Sequence, residues 1–201
     1  MEPASPPSNL NIANALTVLR IAGVPVFGWL LLVDDGQDVS MRVWAWVAFV
    51  LLMLTDRIDG DLARSRNLVT NFGKLADPIA DKALTGMAFI GLALIFDHWL
   101  FWTITVVVLV REWGITVMRF FIKKYGVMPA SQGGRIKTTL QALALGGYVL
   151  PFELWDNTAS DVLRWITHVL MAGAVAITLV TGVQYVRDAR VIRREALARQ
   201  G

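Results

Sequence analysis

The chain has 201 residues, of which 55% are hydrophobic and only 17% are charged, and its formal net charge is +3 at pH 7. This length suits one domain, and the composition indicates a membrane protein rather than a soluble one, with no nucleic-acid partner expected. The absence of cysteine excludes disulfides, cysteine-ligated zinc and thiol chemistry.

Apolar stretches follow the chain at lengths near the roughly 20 residues that a membrane-spanning helix requires. Residues 1–10 are polar, contain proline and serine, and are expected to form a disordered lead. The pattern predicts an all-α integral membrane protein with six transmembrane helices, at Ala15–Val33, Val43–Ala63, Leu75–Phe96, Leu100–Phe121, Thr138–Leu154 and Val162–Val186. They form one membrane domain, residues 11–187, followed by a basic cytoplasmic tail, residues 188–201.

Lysine and arginine are distributed unequally between the two ends of these helices. Segments 34–40, 97–99 and 153–161 are acidic or neutral, with only Arg42 and Arg164 beside them. The opposite ends and the tail carry most of the basic residues. Because short loops rich in lysine and arginine remain in the cytoplasm, both termini are expected to be cytoplasmic.

Carboxylates at helical spacings stand at the end of the second stretch and the start of the third. Asp56 and Asp59 are three residues apart, and Asp77 and Asp81 are four apart, so each pair shares a helix face. Carboxylates in membrane segments are costly and indicate a functional site. Converging negative charges require cations, and ligation by oxygen alone favours Mg²⁺ or Mn²⁺. Pro78 suits the first turn of a helix, so the third helix is expected to begin within the four residues before it.

Two residues beside the first carboxylate pair suit a phosphate ligand. Gly60 lies one turn after Asp56, and its lack of a side chain lets a ligand approach the helix backbone closely. The alternative is helix packing through the small residues Gly60 and Ala63. Arg64 can bind phosphate through two nitrogen atoms, or it can anchor the helix at the membrane interface.

The spacing D-x2-D-G-x2-A-R-x8-G-x3-D-x3-D resembles, without a departure, the signature of the CDP-alcohol phosphotransferase family. Its fixed positions are occupied here by Asp56, Asp59, Gly60, Ala63, Arg64, Gly73, Asp77 and Asp81. Segments 14–20, 111–113 and 134–139 are similar to the bacterial phosphatidylglycerophosphate synthase branch of that family. The resemblance extends over residues 11–139 and implies the family's reaction.

That reaction is transfer of a phosphatidyl group from CDP-diacylglycerol to sn-glycerol 3-phosphate, with release of CMP, at the cytoplasmic face of a bacterial plasma membrane. The resemblance also implies a homodimer, and two Mg²⁺ or Mn²⁺ ions held by the four motif carboxylates. It assigns Asp81 as the base that accepts the alcohol proton and as a metal ligand. By similarity, the CDP-lipid would be bound by Asn14, Thr17, Gly60, Ala63, Arg64, Thr70 and Gly73.

Basic residues at the cytoplasmic ends of the fourth and fifth stretches favour an acceptor that itself carries phosphate. The candidate phosphate ligands are Arg111, Arg119, Arg135, Lys137 and Thr138. Cytoplasmic loops also carry such residues as membrane anchors, and the assignment therefore depends on the resemblance as well. Inositol phosphate is an alternative acceptor. A divalent-cation transporter is a distant alternative, because the acidic clusters lie on the cytoplasmic side only.

Overall fold

The computed structural model describes residues 11–65, 70–122, 125 and 132–198. Within them, the chain forms the helices α1 Ile12–Leu32, α2 Val39–Ser65, α3 Asn71–Phe96, α4 Trp99–Ile122, α5 Gln132–Val149 and α6 Thr158–Ala198. Short 3-10 helices occupy Val33–Gly36 and Phe152–Leu154. The all-α class that the sequence predicts is confirmed for the described part of the chain. The predicted lead, residues 1–10, lies outside the described residues.

Several helices begin directly after a side chain that caps them. Asn11, Asp38, Thr70 and Asn157 precede α1, α2, α3 and α6, and each side-chain oxygen accepts a hydrogen bond from the backbone N–H three residues later, at 2.9–3.0 Å. Such caps satisfy one of the N–H groups that have no partner inside the helix. The cap on α3 corrects the predicted start, because the helix begins at Asn71 and Pro78 lies two turns inside it.

The fifth helix begins and ends earlier than predicted, at Gln132–Val149 instead of Thr138–Leu154. Pro151 lacks an N–H group and disfavours the helical conformation in the residue before it, so α5 stops and a separate 3-10 turn follows. α6 has 41 residues and extends beyond the predicted span at both ends, through the predicted basic tail as far as Ala198. At ~1.5 Å per residue, its length is about twice the thickness of a bilayer's hydrocarbon core.

The described helices include five segments that are long and apolar enough to cross a membrane. They are Asn14–Gly36, Val39–Asp56, Ala76–Phe96, Trp99–Ile122 and Thr158–Ala196, and they coincide with five of the six predicted spans. The segment within α2 ends at Asp56, which places the first motif carboxylate at the end of a span. The protein is therefore a multi-pass membrane protein.

The chain divides into two compact units. The first contains α1, α2, α3 up to Ile95 and the segment Val149–Trp155. The second contains Phe96–Tyr148 and the residues from Asp156 onward, which include α4, α5 and α6. In the first unit, the core includes Phe27, Leu31 and Phe49, which have at most 2% of their surface exposed. In the second unit, α4 packs against α6.

A fully buried arginine connects two segments of the first unit. Arg42 donates hydrogen bonds from Nε to the backbone oxygen of Val149 at 2.8 Å and from one terminal nitrogen to Gly36 at 3.1 Å. The same nitrogen donates to Glu153 Oε1 at 2.8 Å. The turn between α1 and α2 is thereby joined to Val149–Trp155. Loss of this guanidinium would leave several buried acceptors without their donor.

We predict that Arg42→Met lowers the free energy of unfolding by about 3 kcal/mol, since it breaks one partner of a buried ion pair. Unfolding of the purified protein in detergent measures this loss. Arg164→Met is the matched control, because Arg164 pairs with Asp161 at 2.8 Å in an exposed position. The control should cost less than ~1 kcal/mol. Equal losses in the two variants would show that Arg42 does not stabilise the unit.

Candidate functional site

The start of α3 is joined to α1 by hydrogen bonds between residues that the sequence assigned to one site. Thr70 Oγ1 accepts from the N–H of Gly73 and donates to Asn14 Oδ1, both at 3.0 Å. One turn further along α1, the hydroxyl of Thr17 donates to Asp77 Oδ1 at 2.6 Å. Asn14, Thr17 and Thr70 are all buried. The first unit therefore brings together four predicted CDP-lipid residues and one predicted metal ligand.

Oxygen atoms surround the position where Gly73 lacks a side chain. A Cβ at this glycine would lie 2.9 Å from Asn14 Oδ1, 3.4 Å from Thr70 Oγ1 and 3.8 Å from Asp77 Oδ2. A methyl group would therefore displace at least the Asn14 amide. The carboxylate, amide and hydroxyl oxygens gathered here are the ligand types that hard divalent cations prefer, so these residues fit such an ion.

Asp56 on α2 pairs with a buried arginine of α1. A terminal nitrogen of Arg20 lies 2.8 Å from Asp56 Oδ1, and the arginine side chain is fully buried while the aspartate is 40% exposed. Arg20 is three residues after Thr17, so the same stretch of α1 contacts carboxylates of both α2 and α3. Sequence reasoning gave Arg20 no role. An arginine within an apolar span was the available signal, because such a charge requires a partner.

The metal centre of four carboxylates stays a prediction, because the described side chains do not include all four of them. Asp77 and Asp81 are partly exposed, and Asp81 follows Asp77 by one turn of α3. Among the side chains that the structure describes, no group of three or more histidines, aspartates or glutamates is arranged to hold a metal ion. Among the predicted metal and CDP-lipid residues, those whose side-chain positions lie outside the described part are Asp59, Gly60, Ala63 and Arg64.

In the second unit, a glutamate joins two of the predicted acceptor residues. Glu112 Oε1 accepts from Arg111 at 3.0 Å and also from the ammonium group of Lys137. The Lys137 side chain is 6% exposed and that of Glu112 is 19% exposed, so both charges are largely removed from solvent. Sequence reasoning did not assign Glu112, although an acidic residue beside buried cations could have indicated such pairing.

The remaining predicted acceptor residues differ in their surroundings. Arg119 donates to the hydroxyl of Tyr185 at 2.7 Å, so it is held by α6. Thr138 is exposed, and its hydroxyl donates to the backbone oxygen of Gly134 within α5 at 2.9 Å. The role of Thr138 at the acceptor therefore stays a prediction. The side chain of Arg135 lies outside the described part.

Comparison with known proteins identifies the family. Residues 10–180 match the CDP-alcohol phosphatidyltransferase family, and the chain belongs to it. The chain is 46% identical over 190 residues to a Mycobacterium tuberculosis H37Rv protein described as a probable phosphatidylglycerophosphate synthase, covering 92% of this chain and 87% of the relative. It is 35% identical over 189 residues to the CDP-diacylglycerol–glycerol-3-phosphate 3-phosphatidyltransferase of Bacillus subtilis, covering 87% and 93%.

A shorter match, 35% identical over 122 residues, is to a cardiolipin synthase (CMP-forming) of Streptomyces coelicolor, and it covers 60% of this chain and 55% of the relative. The family expected from the carboxylate motif is confirmed. The chain is a phospholipid-synthesising transferase with membrane helices, and its family generally uses divalent metal ions.

We predict that Gly73→Ala reduces turnover at least ~10-fold and raises the Mg²⁺ concentration needed for half-maximal activity, because the methyl group displaces oxygen atoms that approach this position. Turnover is measured across a Mg²⁺ titration. Gly114→Ala is the matched control, since a Cβ there would have no neighbour within 4 Å among the described residues. Wild-type activity and metal dependence in Gly73→Ala would contradict the assignment of this position to the site.

Proposed function

We propose that this chain transfers the phosphatidyl group of CDP-diacylglycerol to sn-glycerol 3-phosphate, which gives phosphatidylglycerophosphate and CMP. The M. tuberculosis and B. subtilis relatives are described by this activity, and each match covers most of both chains. The observation that carries the proposal is the convergence of Asn14, Thr17, Thr70 and Asp77 around Gly73. Gly73 and Asp77 are fixed positions of the carboxylate motif, and Thr70 lies inside it. Asn14 and Thr17 of α1 contact it through hydrogen bonds to Thr70 and Asp77.

Two divalent ions, Mg²⁺ or Mn²⁺, are assigned to Asp56, Asp59, Asp77 and Asp81. When bound, such ions neutralise the pyrophosphate of the CDP-lipid and stabilise the charge that develops on the departing CMP. The three side-chain oxygen atoms nearest to the Gly73 Cβ position support this assignment. Arg20 offsets the charge of Asp56 and keeps that carboxylate at a fixed position on α2.

The protein's own residues bind the lipid and accept a proton. The hydroxyl of the acceptor attacks the phosphorus atom that carries diacylglycerol, a new P–O bond forms, and the P–O bond to CMP breaks. Asp81 takes the proton that the attacking hydroxyl releases. The CDP-lipid is held by Asn14, Thr17, Gly60, Ala63, Arg64, Thr70 and Gly73.

The charge of the second unit suits a phosphorylated acceptor. Arg111, Arg119 and Lys137 carry three positive charges, and Glu112 offsets one of them. The excess of two, to which Arg135 would add a third positive charge, suits a phosphate monoester, whose charge near pH 7 is about −1.5 to −2. These three basic residues are assigned to the acceptor phosphate, together with Arg135 and Thr138. Inositol phosphate carries a similar charge, so the experiment must compare it directly.

The chain is further assigned six membrane spans, with α5 as the sixth, in a bacterial plasma membrane. Both termini and the active site face the cytoplasm, and the protein acts as a homodimer. The distribution of lysine and arginine supports this orientation. The contact of Arg42 with Gly36 and Glu153 supports placing these two segments on the same side of the membrane, as the distribution requires.

Release of CMP by the purified protein tests the proposed function. With CDP-diacylglycerol and Mg²⁺, we expect release that depends on glycerol 3-phosphate, and no release above background with inositol phosphate, serine or no acceptor. Phosphatidylglycerophosphate is identified in the same reactions by mass spectrometry. Release with inositol phosphate instead would keep the reaction class and refute the acceptor.

We also predict that Asp77→Asn lowers kcat by at least ~100-fold while the protein remains folded in the membrane, because it removes a carboxylate needed to balance the metal charge. CMP release at saturating substrates and thermal unfolding are measured together. Asp161→Asn is the matched control, since Asp161 forms an exposed ion pair with Arg164. Near-normal turnover in Asp77→Asn would refute the metal assignment.

A further inference from the structure

Tyr185 of α6 contacts both arginines that the proposed function assigns to the acceptor phosphate. A terminal nitrogen of Arg119 donates to the Tyr185 hydroxyl at 2.7 Å, and the guanidinium carbon of Arg119 lies 4.7 Å from the ring centroid. The guanidinium carbon of Arg111 lies 5.8 Å from the same ring. Tyr185 is only 6% exposed, so packing holds its ring in place beside the guanidinium groups of Arg111 and Arg119.

A second residue of α6 holds Arg111 from the same face. Arg111 donates to the hydroxyl of Thr181 at 2.6 Å, and Thr181 precedes Tyr185 by one helical turn. Gly182 lies between them and faces the same arginine, since a Cβ there would meet Arg111 Cγ at an ordinary contact distance of 3.4 Å. This part of α6 therefore forms a surface, made of Thr181, Gly182 and Tyr185, against which both arginines lie.

Binding a phosphate with two arginines on one helix has two costs that this surface reduces. Arg111 and Arg119 are eight residues apart on α4, about 12 Å along its axis, and their like charges repel. Each long side chain also loses rotamer freedom when a ligand fixes it. The face of an aromatic ring attracts guanidinium groups, and the hydroxyl of Tyr185 adds a directional hydrogen bond. Both side chains are thus ordered before a phosphate arrives, which favours binding.

We propose that Tyr185, supported by Thr181, is a positioning residue for the acceptor phosphate: it fixes Arg119 and Arg111 and so sets the affinity for the acceptor. This inference depends on the proposed function. Tyr185 itself need not touch the substrate, because it acts through the arginines. Its removal should therefore weaken acceptor binding selectively and leave CDP-lipid binding and the chemical step nearly unchanged.

Tyr185→Phe and Tyr148→Phe form a matched pair of variants. Tyr148 belongs to the same unit, is 8% exposed, and its hydroxyl lies 2.6 Å from His168 Nδ1. Each variant therefore loses one short hydrogen bond and keeps its ring. Tyr185→Leu removes the ring as well, and Lys137→Ala serves as a positive control for loss of an acceptor ligand. The full-length protein is assayed with Mg²⁺ while each substrate is varied in turn.

We expect Tyr185→Phe to raise the KM for glycerol 3-phosphate about tenfold, the equivalent of ~1.4 kcal/mol. Tyr185→Leu should raise it further, while the KM for CDP-diacylglycerol and kcat stay within about twofold of wild type. Tyr148→Phe should leave all three quantities within about twofold. If the Leu variant fails to fold, Tyr185→Phe alone provides the test.

An unchanged KM for glycerol 3-phosphate in Tyr185→Phe would overturn the inference, as would an equal rise in both KM values or the same change in Tyr148→Phe. If the wild type uses glycerol 3-phosphate but Lys137→Ala and Tyr185→Phe both keep its KM, the positioning role fails and the proposed activity stands. A wild type that releases no CMP with glycerol 3-phosphate refutes the proposed function, and this inference with it.

Discussion

Charged side chains within apolar helices require an opposite charge inside the protein, and this requirement organises both units. Arg20 pairs with Asp56, and Arg42 pairs with Glu153, each by a fully buried guanidinium in the first unit. In the second unit, Glu112 forms ion pairs with the side chains of Arg111 and Lys137. A buried charge without its partner costs several kcal/mol, so each pair restricts where its helices can lie. The ion pairs that offset the cost of burying these charges thus also hold Asp56, Arg111 and Lys137, which are proposed for catalysis and binding, in place.

The geometry around Gly73 follows from the way in which α3 begins. A helix leaves its first N–H groups without partners, and Thr70 supplies the cap for one of them. Because the same hydroxyl also donates to Asn14, capping the helix also links α1 to the site. Asp77 then lies one turn after Gly73 and receives the hydroxyl of Thr17. The hydroxyl that caps α3 therefore also helps to fix the geometry of the site.

Much of the fold could be predicted from the sequence, because membrane spans have a strong apolar signal and the carboxylate motif has a fixed spacing. The ends of α3 and α5 were less predictable. A side-chain cap extends α3 ahead of Pro78, whereas a proline cuts α5 short. These are local effects that average hydropathy does not register.

The partners of the basic acceptor residues were missed for a different reason. Glu112 bonds to a lysine 25 residues away, and Arg119 bonds to Tyr185 across 66 residues. The sequence shows that such charges need partners, but the choice of partner depends on which helix faces pack together. Thr181 and Tyr185 lie in a segment that reads only as an apolar span followed by a basic tail, so only the packing of α6 on α4 shows what they contact.

An experimental structure of the protein with Mn²⁺, in which anomalous scattering locates the ions, tests the proposed metal centre. We expect ions about 2.1 Å from oxygen atoms of Asp56 and Asp77, with Asp59 and Asp81 completing the site. Asp56→Asn should remove at least one of these peaks. Ions bound elsewhere would show that these four carboxylates do not form the metal centre. The same conclusion would follow if the active protein held no ion at these carboxylates.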